Sequence, residues 1–210
     1  MTKLTSLSLA LIVAMTSNAF AHHPLGGAAP ETMLHGFLSG VGHPIIGFDH
    51  LAFVLAIGVL AAFHKHRLAL PFGFVIGTVI GSLLTLAAVT LPLTELTITL
   101  SVLFAGLMVM RGRDVAVLPA TILGTLAGLF HGAAYGEAVI GAETTPIIAY
   151  LAGFGLTQLA IMLAAGFVMQ QIWKAASMAE LKPRLAGALL AGVGVTYLVE
   201  HAEQFLFSAM

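Results

Sequence analysis

Residues 116–138 read AVLPATILGTLAGLFHGAAYGEA, and this stretch decides the fold. It carries no charged residue before Glu137. At ~1.5 Å rise per residue a helix of this length reaches ~35 Å, enough to cross a hydrocarbon layer of ~30 Å. Gly124, Gly128, Gly132 and Gly136 recur every fourth residue, so they form one stripe on which a neighbouring backbone can come close. Ionisable residues gather at one end only, as His131, Tyr135 and Glu137.

Runs of the same kind recur on both sides. Apolar spans are expected at about 45–63, 68–91, 95–110, 116–138, 147–172 and 185–207. They are separated by His64-Lys65-His66-Arg67, Pro92, Arg111-Gly112-Arg113-Asp114, Glu143-Thr144-Thr145-Pro146 and the segment from Lys174 to Arg184. The second span repeats the glycine spacing at Gly73, Gly77 and Gly81. Residues 31–42 read either as an interfacial helix or as an extension of span one. The fold class is therefore all-α: a polytopic membrane helical bundle of about six transmembrane helices, one domain over 22–210.

Residues 1–21 read as a cleaved signal peptide. Lys3 gives the positive start, Leu4 to Met15 the apolar core, and Ala19-Phe20-Ala21 the small-x-small cleavage site. Cleavage leaves His22 first and outside. The loops after spans one, three and five are then cytoplasmic, and they hold Lys65, Arg67, Arg111, Arg113, Lys174, Lys182 and Arg184. Those are all the lysines and arginines left after cleavage, as the positive-inside rule requires. The expected place is the inner (plasma) membrane, with both mature termini on the external side. Trp173 reads as an interfacial anchor.

Composition supports a lipid partner and excludes others. Charged residues make up 8% of the chain, against about 25% in soluble domains. A formal net charge of -1 without a basic run argues against nucleic acid. The absence of cysteine removes thiolate ligands and nucleophiles. Nine histidines, by contrast, outnumber the eight lysines and arginines.

Ionisable groups inside a membrane are costly and usually serve a purpose. Here they form three clusters, all in the external half: His43, Asp49 and His50; His131, Tyr135 and Glu137; and Glu200 and His201, with Glu203 beside them. His43 and His50 are seven apart and share a face if one helix continues through both, with Pro44 in its first turn. Asp49 then points elsewhere, unless it bends in or orients a histidine. Imidazole with carboxylate suits a divalent transition metal. Tyr135 reads as packing, and His201 either as a ligand or as an interfacial histidine. The pair His22-His23, with His35 further on, reads as a capture site or as a plain polar tail.

Three stretches resemble the HupE/UreJ family of nickel/cobalt permeases: His22-His23-Pro24-Leu25-Gly26-Gly27, His43-Pro44-x-x-Gly47-x-Asp49-His50, and Phe130-His131-Gly132-x-Ala134. Tyr135 stands where that pattern has a second histidine, and Glu137 follows Gly136 without the usual spacer. The resemblance implies a permease, not an enzyme, with Ni²⁺ or Co²⁺ as transported substrate and no permanently bound cofactor. The residues it matches, His43, Asp49, His50 and His131, are the expected metal ligands; by their clustering Glu137, Glu200 and His201 form a weaker outer set nearer the external mouth, and His22 and His23 are the expected capture site. Partners consistent with the resemblance are the metal, the bilayer, a second copy of the chain and nickel-enzyme maturation proteins. The alternatives are an intramembrane metal-dependent hydrolase, which lacks a His-Glu-x-x-His motif here, and a metal-binding membrane protein without flux.

Overall fold

The computed structural model describes residues 29–207. The expected cleavage after Ala21 and the pair His22-His23 lie outside the described residues. Within them the chain is all-helical: α1 (Met33–Ile46), α2 (Phe48–Ala62), α3 (Ala69–Leu86), α4 (Thr94–Arg111), α5 (Val117–Glu137), α6 (Thr144–Phe167, continued by a π-helical turn Val168–Ile172) and α7 (Leu181–Phe207). Five of these are long and apolar enough to cross a membrane, and the pair α1–α2 makes a sixth if counted as one bent span. The protein is a multi-pass membrane bundle.

The first span departs from the expectation of one continuous helix from residue 45. Helix α1 starts at Met33, where Thr32 caps it by accepting from the His35 N–H at 3.1 Å. Pro44 therefore sits in the last turn of α1, not in a first turn. Its ring removes a backbone donor and crowds the carbonyl four residues back, so the helix ends within a turn. Gly47 follows in extended conformation, and α2 leaves at 79° to α1. Residues 33–46 thus form a helix of their own, joined to α2 through a sharp bend. Both helices lie along α6. A Cβ on Gly36 would meet Pro146 and one on Gly58 would meet Met162, while Gly166 faces Ala62. From residue 146 to residue 166, α6 rises ~30 Å, the thickness of the hydrocarbon layer.

The glycine stripes of α3 and α5 face each other, as their spacing predicts for a close contact. A Cβ on Gly77 would strike the Thr125 carbonyl and one on Gly81 the Leu129 carbonyl. From the other side, a Cβ on Gly128 would lie 2.6 Å from the Phe74 carbonyl, and one on Gly132 would strike that of Thr78. The rising order of both partners makes the pair parallel. At this closeness Ser82 Oγ reaches across to the Gly132 carbonyl at 2.8 Å, and Thr85 Oγ1 to that of Ala133 at 3.0 Å. Lipid gives no hydrophobic drive between helices, so backbone approach and such bonds hold the pair. Helices α4 and α7 meet the same way in antiparallel order, through Gly106 against Ala191 and Gly194 against Leu103.

The loops that carry the basic residues meet at one end. Arg184 Nε donates to the Met110 carbonyl at 3.2 Å, Lys182 Nζ to that of Trp173 at 2.7 Å, and Gln170 donates to the Ala62 carbonyl. Gly112 closes α4 with φ 67, a left-handed conformation that a side chain would strain. The histidine clusters occupy the opposite half.

Candidate metal centre

The bend at Gly47 does what a straight helix was expected to do. It brings the rings of His43 on α1 and His50 on α2 to a centroid distance of 6.2 Å. Metal–nitrogen bonds of about 2.1 Å set the centroids of two imidazoles on one ion about 5–6.5 Å apart, so the pair has a suitable span. Both residues are buried, as are Asp49 and His131. Gly47 leaves room for the second ring, since a Cβ there would come within 3.1 Å of His50 Cδ2.

Hydrogen bonds fix which nitrogen of each ring carries the proton. The Tyr150 hydroxyl, on α6, has one hydrogen and donates it to the Tyr135 carbonyl at 2.8 Å. At His43 Nδ1, 2.7 Å away, it must accept, so the His43 proton is on Nδ1. The same argument runs through α4. Ser101 Oγ donates to the Ile98 carbonyl at 2.6 Å and so accepts from His131 Nε2 at 2.9 Å. His131 Nδ1 is then an acceptor, and His50 Nδ1 donates to it at 3.1 Å. His43 and His50 thus keep the lone pair on Nε2, the form a metal requires. His131 has both ring nitrogens engaged and orients His50.

Asp49 stands in the first turn of α2. Its Oδ1 accepts from the His50 N–H at 2.8 Å and lies 3.7 Å from His50 Nδ1, too far for a hydrogen bond to the ring but close enough to act on it electrostatically. The Tyr135 ring stands edge-on to both imidazoles, with centroids 4.8 Å from His43 and 4.6 Å from His50. Phe53 and Phe74 close the far side of His131 at 4.5 and 5.6 Å.

The other expected residues lie apart. Glu137 and His201 line a cleft of about 610 Å³ together with Glu95, Leu93 and Phe205, among others. His201 Nε2 is 3.0 Å from Thr99 Oγ1. Glu200 is exposed on α7 and is not among the residues lining that cleft. The three clusters therefore separate into a buried centre and an open cleft. Among the described residues, no group of three His, Asp or Glu side chains is arranged to hold a metal ion together. A dication held by His43 and His50 would complete its shell with oxygen ligands such as water.

Tyr150, Ser101 and Glu95 stand at these sites without having been marked in the sequence. Tyr150 and Ser101 look like ordinary residues of apolar spans, and only the packing of α6 and α4 against the histidines gives them a role. Glu95 had a signal, as a carboxylate beside a span end.

A model of the family described as HupE / UreJ protein matches residues 9–197. The chain belongs to the HupE/UreJ family. A relative described as Protein HupE, from Rhizobium leguminosarum bv. viciae, is 31% identical over 192 residues, which is 90% of this chain and 95% of that one. No solved structure matches significantly. The match to HupE/UreJ proteins runs through α1, α2 and α5, so it includes His43, Asp49, His50 and His131.

Proposed function

We propose that this HupE/UreJ protein is a permease that imports a divalent transition metal, nickel or cobalt, from the external side through the buried histidine centre. One observation carries the reading. Two buried imidazoles on opposite sides of a helix break lie with ring centroids 6.2 Å apart, and Tyr150 and His131 each engage an Nδ1, which sets the tautomer of both rings. Irregular backbone inside a membrane is tolerated where it faces protein or a substrate path, and broken helices are a recurring device of transporters. The resemblance to nickel/cobalt permeases supplies the substrate class.

His43 and His50 are the ligands in this reading. Asp49 offsets part of the dication's charge, and His131 fixes His50. Glu137 and His201, with Glu95, form the mouth that gathers cations from outside, Glu200 contributes negative charge at its rim, and His22 and His23 capture metal at the mature N-terminus. The basic end of the bundle faces the cytoplasm and both mature termini face out, after cleavage at Ala21. A membrane potential negative inside is worth ~2.3 kcal/mol per charge per 100 mV and draws a dication inward.

The test is uptake of radioactive Ni²⁺ and Co²⁺ into proteoliposomes that contain the purified protein, with an imposed inside-negative potential. Uptake above that of protein-free vesicles is expected. Metal binding without uptake would leave a binding protein and overturn the permease reading.

A further inference from the structure

Tyr135 and Tyr150 flank the same histidine and differ in one respect. The Tyr150 hydroxyl is fully used, accepting from His43 and donating to the Tyr135 carbonyl. The Tyr135 hydroxyl has no hydrogen-bond partner, although the side chain is completely buried. Buried polar groups in proteins are almost always paired, and an unpaired one asks for an explanation. Packing alone does not give one, because phenylalanine would fill the same space without the desolvation cost. Two other buried side-chain atoms lack a partner among the described residues, Thr121 Oγ1 and Gln158 Nε2, but Tyr135 alone carries a ring against the histidines.

We infer that Tyr135 is a substrate-contacting residue whose hydroxyl oxygen joins the coordination sphere of the dication held by His43 and His50. The inference rests on the metal-permease reading and names an oxygen donor that this reading lacks. Position and chemistry agree. The ring centroid lies 4.8 Å from that of His43 and 4.6 Å from that of His50, so the ring borders the space between the two imidazoles. The hydroxyl supplies an oxygen lone pair. It also alters selectivity. Affinity at nitrogen-rich sites rises from Co²⁺ to Ni²⁺, and imidazole favours such metals more than oxygen does. A mixed nitrogen and oxygen set therefore discriminates less between the two than imidazole alone.

The experiment compares the wild type, Y135F and Y135H in proteoliposomes. KM and kcat for Ni²⁺ and Co²⁺ are measured, together with the rise in Tm in detergent on adding each metal. Y135F keeps the ring and loses only the hydroxyl. It should raise KM about tenfold, the lower end of the effect of losing a group that supports a metal site. It should also reduce the metal-induced rise in Tm while leaving the metal-free Tm equal or higher. Y135H, which replaces oxygen with nitrogen, should increase preference for Ni²⁺ over Co²⁺. If Y135F does not reach the membrane, the Y135H selectivity ratio decides. Unchanged KM and an unchanged metal-induced shift in Y135F, or an unchanged ratio in Y135H, would overturn the inference while the permease reading stands. A wild type that neither transports nor is stabilised by either metal would overturn the permease reading itself, and this inference with it.

Discussion

The buried histidine centre and the open cleft at the end of α4, α5 and α7 contain similar residue types and solve different problems. In the centre, His43, His50 and His131 are buried, and neutral partners order their protons: Tyr150, Ser101 and a backbone carbonyl behind each. In the cleft, Glu95 and Glu137 are exposed and His201 is half-buried. Burial makes each interaction in the centre strong and each missing partner expensive. Exposure makes those in the cleft weak, screened and tolerant. A metal path needs both: an outer surface that attracts dications without holding them, and an inner pair that replaces their water.

The largest effect is expected where the bundle that supports the centre is forced apart. A side chain at Gly128 points at the Phe74 carbonyl and the Gly77 Cα, backbone atoms that cannot yield. Gly128→Leu should therefore strongly reduce folded yield. Leu126→Ala, at a half-exposed position of the same helix, should not. Membrane yield and detergent Tm of the two variants check this, and equal yields would remove the stripe from the account.

Next comes the inner pair. In the proposed reading His50 is a ligand, so His50→Ala should abolish uptake at a normal protein level. His131→Ala should reduce uptake by about 10–100-fold, as loss of an orienting partner does. Uptake of Ni²⁺ and Co²⁺ normalised to membrane protein separates a ligand from a positioning residue. Equal and complete loss in both would make His131 a ligand as well.

Smaller again are the hydroxyls that set the tautomers. Tyr150→Phe leaves the His43 Nδ1–H without its partner, and Ser101→Ala does the same to the His131 Nε2–H. Each should cost about 1–3 kcal/mol in the preference for the metal-ready ring, or roughly tenfold or more in KM. Steady-state uptake over a range of metal concentrations reads this, and an unchanged KM in both would dissolve the proton-ordering argument.

The cleft should give the smallest change. Glu137→Gln should raise KM only a few-fold, within the ~1 kcal/mol typical of exposed charges, and the change should vanish at high salt. A large, salt-independent loss would place Glu137 in the binding centre and erase the distinction between the two regions.

The sequence by itself determined the class of the protein. Apolar runs of spanning length, glycines every fourth residue and the confinement of lysine and arginine to alternate loops are local properties, and a membrane reads them locally, by length and charge. It also marked His43, Asp49, His50 and His131, because ionisable groups in apolar spans are conspicuous wherever they pack. The break at Gly47 was only half legible. Pro44 and Gly47 mark a weak point, but whether a helix bends there depends on what it rests against, and α6 supplies that through Pro146 and Tyr150. Tertiary structure alone decided which histidine is a candidate ligand and which orients it, that Glu137 and His201 stand apart in a cleft with Glu95, and that Tyr150 and Ser101 set the ring protons. These are pairings between residues 30 to 107 positions apart in the chain, and a single sequence contains no term for the distance between them.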